Sequence, residues 1–306
     1  MLAVKTILFP TDFSALADTA LDYALALAEE HGAVLHMLHA VVLHADDPND
    51  PAHHFPDAAE IEARLEEVAE LRMVERLEDR QVAGVEVVRA QRRGVSVAPV
   101  ILEYADTIHA DMIVMSTHGR RGLSHAIIGS VTEEVVRLSP RPVLTIRGSE
   151  EGPVPTKIER VLVPVDFSPH SETAVRNAIE VCRTYGSRLH LVHVFEQPVT
   201  PEVYLGGGSV FGLDFARQEA SLRQALADLA RRMGADDSAE LHLREGRAVS
   251  GILATAEEIS ADLIVIATHG LGGLTHVLLG SVTDKVVRRA PCPVLTVKAF
   301  GESLLE

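Results

Sequence analysis

The sequence predicts an α/β protein made of two tandem, doubly wound domains, each a five-stranded parallel sheet with helices on both faces. Three observations carry this reading. The chain is written twice: residues 111–147 align without gaps on residues 262–298 with 21 of 37 positions identical, and "ILFPTDFS" at 7–14 returns as "VLVPVDFS" at 161–168. Short apolar runs alternate with longer periodic stretches, as βαβ units do. Runs such as "MIVM" at 112–115 and "LIVIA" at 263–267 are apolar at consecutive positions, which strands covered on both faces require.

In the first half the apolar runs place strands near 5–10, 33–41 ("AVLHMLHAV"), 85–90 ("VEVVRA"), 111–116 and 142–147 ("PVLTIR"). Helices fill the intervals near 14–31, 58–81, 96–109 and 129–139. The second half repeats the pattern, with strands near 160–165, 188–195, 239–244, 262–267 and 293–298. Between the halves "RGSEEGPVPTK", 147–157, replaces apolar periodicity with glycine, proline and charge, the composition of a linker. The expected domains are 1–148 and 158–306, joined by 149–157. Two loops differ most between the halves, "HADDPNDPAHHFPDA" and "EQPVTPEVYLGGGSVFGLD"; unstructured loops of that length read as lids or mobile segments.

The 306 residues suffice for two cores of ordinary size, and a hydrophobic content of 47% excludes a disordered chain. Acidic residues outnumber basic ones 44 to 28, for a formal charge of −16. That field repels nucleic acid and anionic membrane, so an anionic ligand has to be held by local geometry. Cys182 and Cys292 show no metal or redox spacing, Pro10 and Asp12 interrupt any signal-peptide core, and no apolar run is long enough to span a membrane. A soluble, cytoplasmic protein is expected.

The most repeated segment is "THGRRGLSHAIIGS", 117–130, against "THGLGGLTHVLLGS", 268–281. In open parallel sheets ligands sit outside the carboxyl ends of strands where the strand order reverses. Pro10, Thr11 and Asp12 follow the first strand, and Thr117, His118 and Gly119 follow the fourth; if these strands are neighbours, one crevice holds both. Glycine at 119 and 122 lets the backbone approach a ligand closely. Gly129, Ser130, Val131 and Thr132 open a helix, whose free amides and dipole favour an anion. Asp12 suits a ribose hydroxyl or a base amino group. Asp166, Gly270, Gly273, Gly280, Ser281, Val282 and Thr283 repeat these parts. Two plainer readings stay open: the glycines serve a tight turn alone, and Asp12 and Asp166 cap the helices that follow them.

Other chemistries find less in the sequence. No Gly-x4-Gly-Lys-(Ser/Thr) P-loop occurs, and no Gly-x-Gly-x-x-Gly follows the first strand. His36 and His39, like His190 and His193, are three apart on expected strands, so each pair points to opposite faces and cannot chelate one ion. His118 and His125 suit turn and helix-surface roles, and His53-His54 a solvated loop; no metal site is expected. No second carboxylate stands where a general base for phosphoryl transfer would be needed, so at most slow ATP hydrolysis or self-phosphorylation is expected.

The opening Pro-(Thr/Val)-Asp-Phe-Ser, the Gly-x9-Gly-Ser segment and the closing Pro-x-Pro-Val-Leu-Thr resemble the universal stress protein family, and the doubled chain resembles its tandem members. The resemblance implies a Rossmann-like domain of the adenine nucleotide alpha hydrolase-like kind, and ATP, with magnesium, as ligand of each half. It implies Pro10, Thr11 and Asp12 around adenine and ribose, Ala40 lining the base pocket, and Gly119, Gly129, Ser130, Val131 and Thr132 around the phosphates. In the second half it implies Pro164, Val165, Asp166, Val194, Gly270, Gly280, Ser281, Val282 and Thr283. Met115 and Ser116, with Ile266 and Ala267, end the fourth strand of each half and belong to the same expected site. Arg120, beside Arg121, could reach phosphate where the second half has Leu271-Gly272. One departure matters: the family motif Gly-x2-Gly-x9-Gly-(Ser/Thr) has its first glycine replaced by Ser116 and Ala267, where a positive φ would be strained. The resemblance also implies a regulatory protein partner, pairing of the two halves about a pseudo-two-fold axis through "PVLTIR" and "PVLTVK", and a homodimer.

Overall fold

The computed structural model describes residues 4–42, 58–78, 80, 84–117, 128–147, 157–196, 208–235, 239–268 and 279–298. The chain divides into two compact units, the first ending at Val154 and the second beginning at Pro155. The expected linker up to 156 and most of both long loops lie outside the described residues, but residues 208–214, expected to be loop, are the first turns of a helix that runs from Gly208 to Arg232.

In the first unit, strands β1 (Thr6–Pro10), β2 (Val34–Val42), β3 (Val87–Gly94), β4 (Met112–Ser116) and β5 (Val143–Ile146) alternate with helices α1 (Ala15–His31), α2 (Ala58–Glu78), α3 (Val97–Thr107) and α4 (Ser130–Leu138). All four strand pairings are parallel, in the order β3-β2-β1-β4-β5. The second unit repeats this with β6 (Arg160–Pro164), α5 (Pro169–Tyr185), β7 (Arg188–Phe195), α6 (Gly208–Arg232), β8 (Ala239–Glu245), α7 (Ala248–Glu258), β9 (Leu263–Ala267), α8 (Ser281–Arg289) and β10 (Val294–Val297). Its order is β10-β9-β6-β7-β8, again all parallel. The chain therefore steps outward from the first strand of each unit and returns on its other side. β1 lies directly against β4 (Ile7 beside Met112), and β6 against β9 (Val161 beside Leu263).

That pairing has a visible cause at the amino ends of the strands. The Asp111 carboxylate accepts the backbone amides of Lys5 (2.7 Å) and Thr6 (2.8 Å). Asp262 accepts those of Glu159 (3.0 Å) and Arg160 (2.8 Å). Each aspartate just before the fourth strand thus clasps the start of the first, with charge-assisted bonds that are stronger than neutral ones. Above the clasp the strands are buried on both faces, with Ile7, Leu8, Phe9 and every residue from Met112 to Met115 in the core. This is why both strands are written without alternation.

Helices α1 and α5 share a second repeated device. Ser14 accepts the amide of Ala17 and Ser168 that of Ser171, both at 3.2 Å. Both helices stop at a left-handed glycine, Gly32 (φ 61°) and Gly186 (φ 68°), a conformation glycine adopts without a Cβ clash. α1 buries Ala17, Ala20, Leu21, Ala24, Leu25 and Ala28, a stripe at three- and four-residue spacing. Burying Leu21 alone contributes about 1.5–3 kcal/mol.

One strand departs from expectation. β3 runs to Gly94 rather than stopping at 90, through Arg89, Gln91, Arg92 and Arg93. It pairs only with β2 and forms the edge of its unit's strand order, where polar side chains are normal. Ion pairs of Arg89 with Glu70 and Arg93 with Glu66, both 2.7 Å, tie it to α2. No described helix is long and apolar enough to cross a membrane.

Candidate functional site

The reversal of strand order falls between β1 and β4 in the first unit and between β6 and β9 in the second, so the expected crevice forms in each at the carboxyl ends of those strands. Pro10 closes β1, and Thr11 continues it, its amide bonded to the Leu38 carbonyl at 2.8 Å. The chain then turns sharply at Phe13, a non-glycine residue at φ 63°. A left-handed phenylalanine is strained, and the surroundings hold it. Its amide donates to Thr11 Oγ1 (3.0 Å), its ring lies 4.6 Å from that of His39, and Arg76 donates to its carbonyl (3.1 Å). Asp12 forms the inner side of the turn, accepting the Ser14 amide through Oδ1 at 3.0 Å. Asp12 therefore shapes the turn, and Ser14 supplies the helix cap. Nearby, burial pushes the Asp18 carboxyl up, while Arg76 and Arg80 pull it down and the Asp22 and Asp12 charges add to the rise.

The second unit rebuilds this turn with other atoms. Phe167 stands at φ 61° with its ring 4.6 Å from that of His193. Val165 replaces Thr11 and has no hydroxyl to offer, but Ser168 donates through both N (3.0 Å) and Oγ (2.6 Å) to Asp166 Oδ1. His39 Nδ1 lies 2.9 Å from the Thr11 carbonyl and His193 Nδ1 2.7 Å from that of Val165. These histidines, at the ends of β2 and β7, brace the floor of the turn. In the sequence they read only as strand residues facing away from His36 and His190; their recurrence 28 positions after Thr11 and Val165 is the available signal.

Across the crevice the helix starts are moored to the strand ends. The Gly129 amide donates to the Thr117 carbonyl (2.8 Å) and Thr132 Oγ1 to the Ser116 carbonyl (2.9 Å). Gly280 bonds Thr268 (2.9 Å) and Thr283 bonds Ala267 (2.7 Å) in the same way. A Cβ on Gly280 would stand 3.0 Å from the Thr268 carbonyl oxygen, so any side chain there forces the strand end or the helix to shift by a few tenths of an ångström. Both threonines are buried, and their hydroxyls serve this anchor. The donors left to the crevice are the first-turn amides of Ser130, Val131 and Thr132, and of Ser281, Val282 and Thr283, which no helix bond uses.

Ser116 and Ala267 close β4 and β9 as strand residues, and neither is among the positive-φ positions. Replacing the family glycine therefore strains nothing at these two places. Met115, Ile266 and Ala267 are buried beneath the crevice, while Ala40 and Val194 sit half-buried on β2 and β7. Pro10, Asp12, Pro164 and Asp166 are half-buried, and Thr11 and Val165 buried. The fold brings all of these to the carboxyl side of each sheet. Gly119, Arg120 and Gly270, with His118, Arg121, Gly122, His125, Leu271, Gly272 and Gly273, lie outside the described residues.

The sequence and the fold both resemble those of known proteins. The family model described as the universal stress protein family matches residues 3–147 and again 157–298. A universal stress protein of Mycobacterium tuberculosis is 32% identical over 205 residues, 65% of this chain and 65% of its own length. One of Mycolicibacterium smegmatis is 28% identical over 212 residues, 69% of each. The crystal structure of a universal stress protein from Archaeoglobus fulgidus superposes with a TM-score of 0.66 at 24% identity, covering 96% of both chains, a likeness of fold. With two matched segments that together take in every strand and helix described above, this chain belongs to the universal stress protein family as a tandem-domain member.

Proposed function

We propose that each domain binds an adenine nucleotide, ATP with magnesium, in the crevice between its first-strand turn and its last helix, and that the chain acts as a nucleotide-responsive regulatory module. The observation that carries this reading is the duplicated convergence, on one strand-order reversal, of an aspartate-bearing turn and a helix start whose first-turn amides have no partner within the helix. In a chain of formal charge −16, a polyanion needs a local source of positive potential, and first-turn amides supply one. Adenine and ribose would lie along Pro10, Thr11, Asp12 and Ala40, and along Pro164, Val165, Asp166 and Val194. The phosphates would lie at Gly129 to Thr132 and Gly280 to Thr283. Nucleotide would act on a protein partner through its different affinity for two states of the domain.

The test is calorimetric titration of MgATP into nucleotide-stripped protein beside Gly129→Asp and Gly280→Asp, which place a carboxylate among the phosphate-facing amides. Two sites in the wild type and one in each variant are expected. Arg120 and Arg121 favour tighter binding at the first site than at the second, where Leu271 and Gly272 stand. Equal affinities in the two single-site variants would remove that distinction. No heat, together with no nucleotide carried through purification, would leave the chain an interaction scaffold.

A further inference from the structure

Away from both crevices, three metal-ligating side chains meet on the second domain's sheet. β7 and β8 pair in parallel with Glu240 opposite His190 and His242 opposite Val192. Side chains alternate along a strand, so His190, Glu240 and His242 share one face. It is the face covered by α7: Val194, two residues beyond Val192, packs against Gly251, and Arg244, two beyond His242, pairs with Glu258. His190 Nδ1 lies 3.1 Å from His242 Nε2 and 3.5 Å from Glu240 Oε2, and all three ligand atoms fall within 4.8 Å of one another.

Those separations suit a cation. Bonds of roughly 2.0–2.1 Å in a tetrahedron set neighbouring donors about 3.4 Å apart. Two of the separations already match, and rotation of the half-exposed Glu240 brings in the third. Arg188 occupies Glu240 Oε1 at 3.2 Å, which leaves Oε2 turned toward His190. Burial lowers both imidazoles below their ordinary range; Arg188 and Arg160 lower His190 further, as Arg244 does His242, while Glu240 and, for His242, Glu258 oppose them. The neutral ring is the form that binds metal. Without an ion, two neutral imidazoles share at most one hydrogen bond. His190 is only 4% exposed, and its Nε2 is buried with no hydrogen-bond partner.

The first domain supplies an internal contrast. His36 stands where His190 does, but Val88 lies opposite it and Ala90 follows, so no second or third ligand is present at these positions. His36 Nδ1 instead meets the Tyr104 hydroxyl of α3 at 3.0 Å. Where the first domain has the apolar pair Val88 and Ala90, the second has a carboxylate and an imidazole at the two positions that converge on its histidine.

We propose that His190, Glu240 and His242 bind a divalent transition-metal ion of the zinc class, one per chain, with water completing the shell. Two imidazoles and a carboxylate are the donor set such ions prefer. Binding through Nδ1 requires the His190 proton on Nε2, which has no hydrogen-bond partner among the described residues. That missing outer partner weakens the site by about 10–100-fold relative to one with a complete outer shell. The proposal does not depend on the nucleotide reading.

The experiment uses the full chain, stripped with chelator and free of nucleotide, titrated with zinc against a chromogenic competitor and with cobalt followed by its d–d absorption. One equivalent is expected, with a tetrahedral cobalt spectrum. Glu240→Val combined with His242→Ala, which writes the first domain's residues into the second, abolishes it; His36→Ala leaves it intact. If the double variant does not fold, His242→Gln, closer to histidine in size, decides through the cobalt band, whose persistence overturns the proposal. Absence of zinc binding in the wild type, or undiminished binding in the folded double variant, overturns it as well.

Discussion

Gly280→Ala probes how tightly the last helix of the second domain is seated. The backbone there, φ −58° and ψ 134°, suits alanine, so the penalty is steric. The new Cβ meets the Thr268 carbonyl oxygen at 3.0 Å and Thr283 Oγ1 at 3.6 Å. That carbonyl accepts the Gly280 amide, and the Thr268 amide is bonded to Val297 at 3.0 Å. Neither side yields without disturbing a hydrogen bond, and relief requires α8 to move outward by a few tenths of an ångström. Overpacking of this kind costs about 1–3 kcal/mol, and alanine caps a helix about 0.5–1.5 kcal/mol less well than glycine. The stiffer unfolded chain returns about 0.4–1 kcal/mol. The net is a loss of roughly 0.5–4 kcal/mol, or about 2–4 °C per kcal/mol for a domain of this size. Scanning calorimetry should show one of the two domains melting earlier and the other unchanged. The same displacement moves the Ser281, Val282 and Thr283 amides, so the second-site ATP affinity should fall about tenfold or more. A melting point within about 1 °C of wild type, with an unaltered ATP titration, would refute the argument that Gly280 is fixed by the Thr268 carbonyl.

Asp111→Ala removes the clasp on the Lys5 and Thr6 amides and should cost roughly 1.5–3 kcal/mol, because both bonds involve a charged acceptor; urea unfolding that matches wild type would show the clasp to be dispensable. Burial pushes both the Cys182 and Cys292 thiols up to about 12 from 9.0. The thiolate fraction at neutral pH is then about a thousandfold lower than usual, and a disulfide reagent should modify neither cysteine until the protein is unfolded; rapid reaction of the native chain would contradict this. Burial lowers the pKa of His31 and His36. The unfolded chain therefore takes up protons first on acidification, so this contribution to stability is complete above pH 6.5 and lost as pH falls through the lowered folded values. Melting points should fall more steeply below pH 6.5 in wild type than in His36→Gln, and parallel curves would refute it.

Much of the architecture is legible in the sequence because it rests on local chemistry repeated at a fixed spacing. Consecutive apolar residues at 112–115 and 263–267 announce strands buried on both faces, and Gly129-Ser130 and Gly280-Ser281 announce helix starts. What stayed hidden depends on register. The convergence of His190 with His242 appears only once β7 is set against β8, since the residues are 52 apart in the chain. The reach of β3 to Gly94 was masked by arginines that an edge strand tolerates. The strain expected at Ser116 and Ala267 assumes a positive φ at the first glycine of the motif, whereas both positions are strand ends without one. Phe13 and Phe167, forced into left-handed geometry, follow no local propensity; His39 and His193 hold them from another strand.

The hydroxyls of Thr132 and Thr283 carry a consequence for energetics. Because each ties the first turn of its helix to a strand carbonyl, the orientation of the helix dipole is set when the domain folds. A bound anion would find the field already aligned, and alignment would cost nothing at the moment of binding. Preorganisation of this kind converts stability in the protein into affinity for the ligand. Cutting the tether with Thr283→Val would therefore lower association more than the loss of one buried hydrogen bond alone.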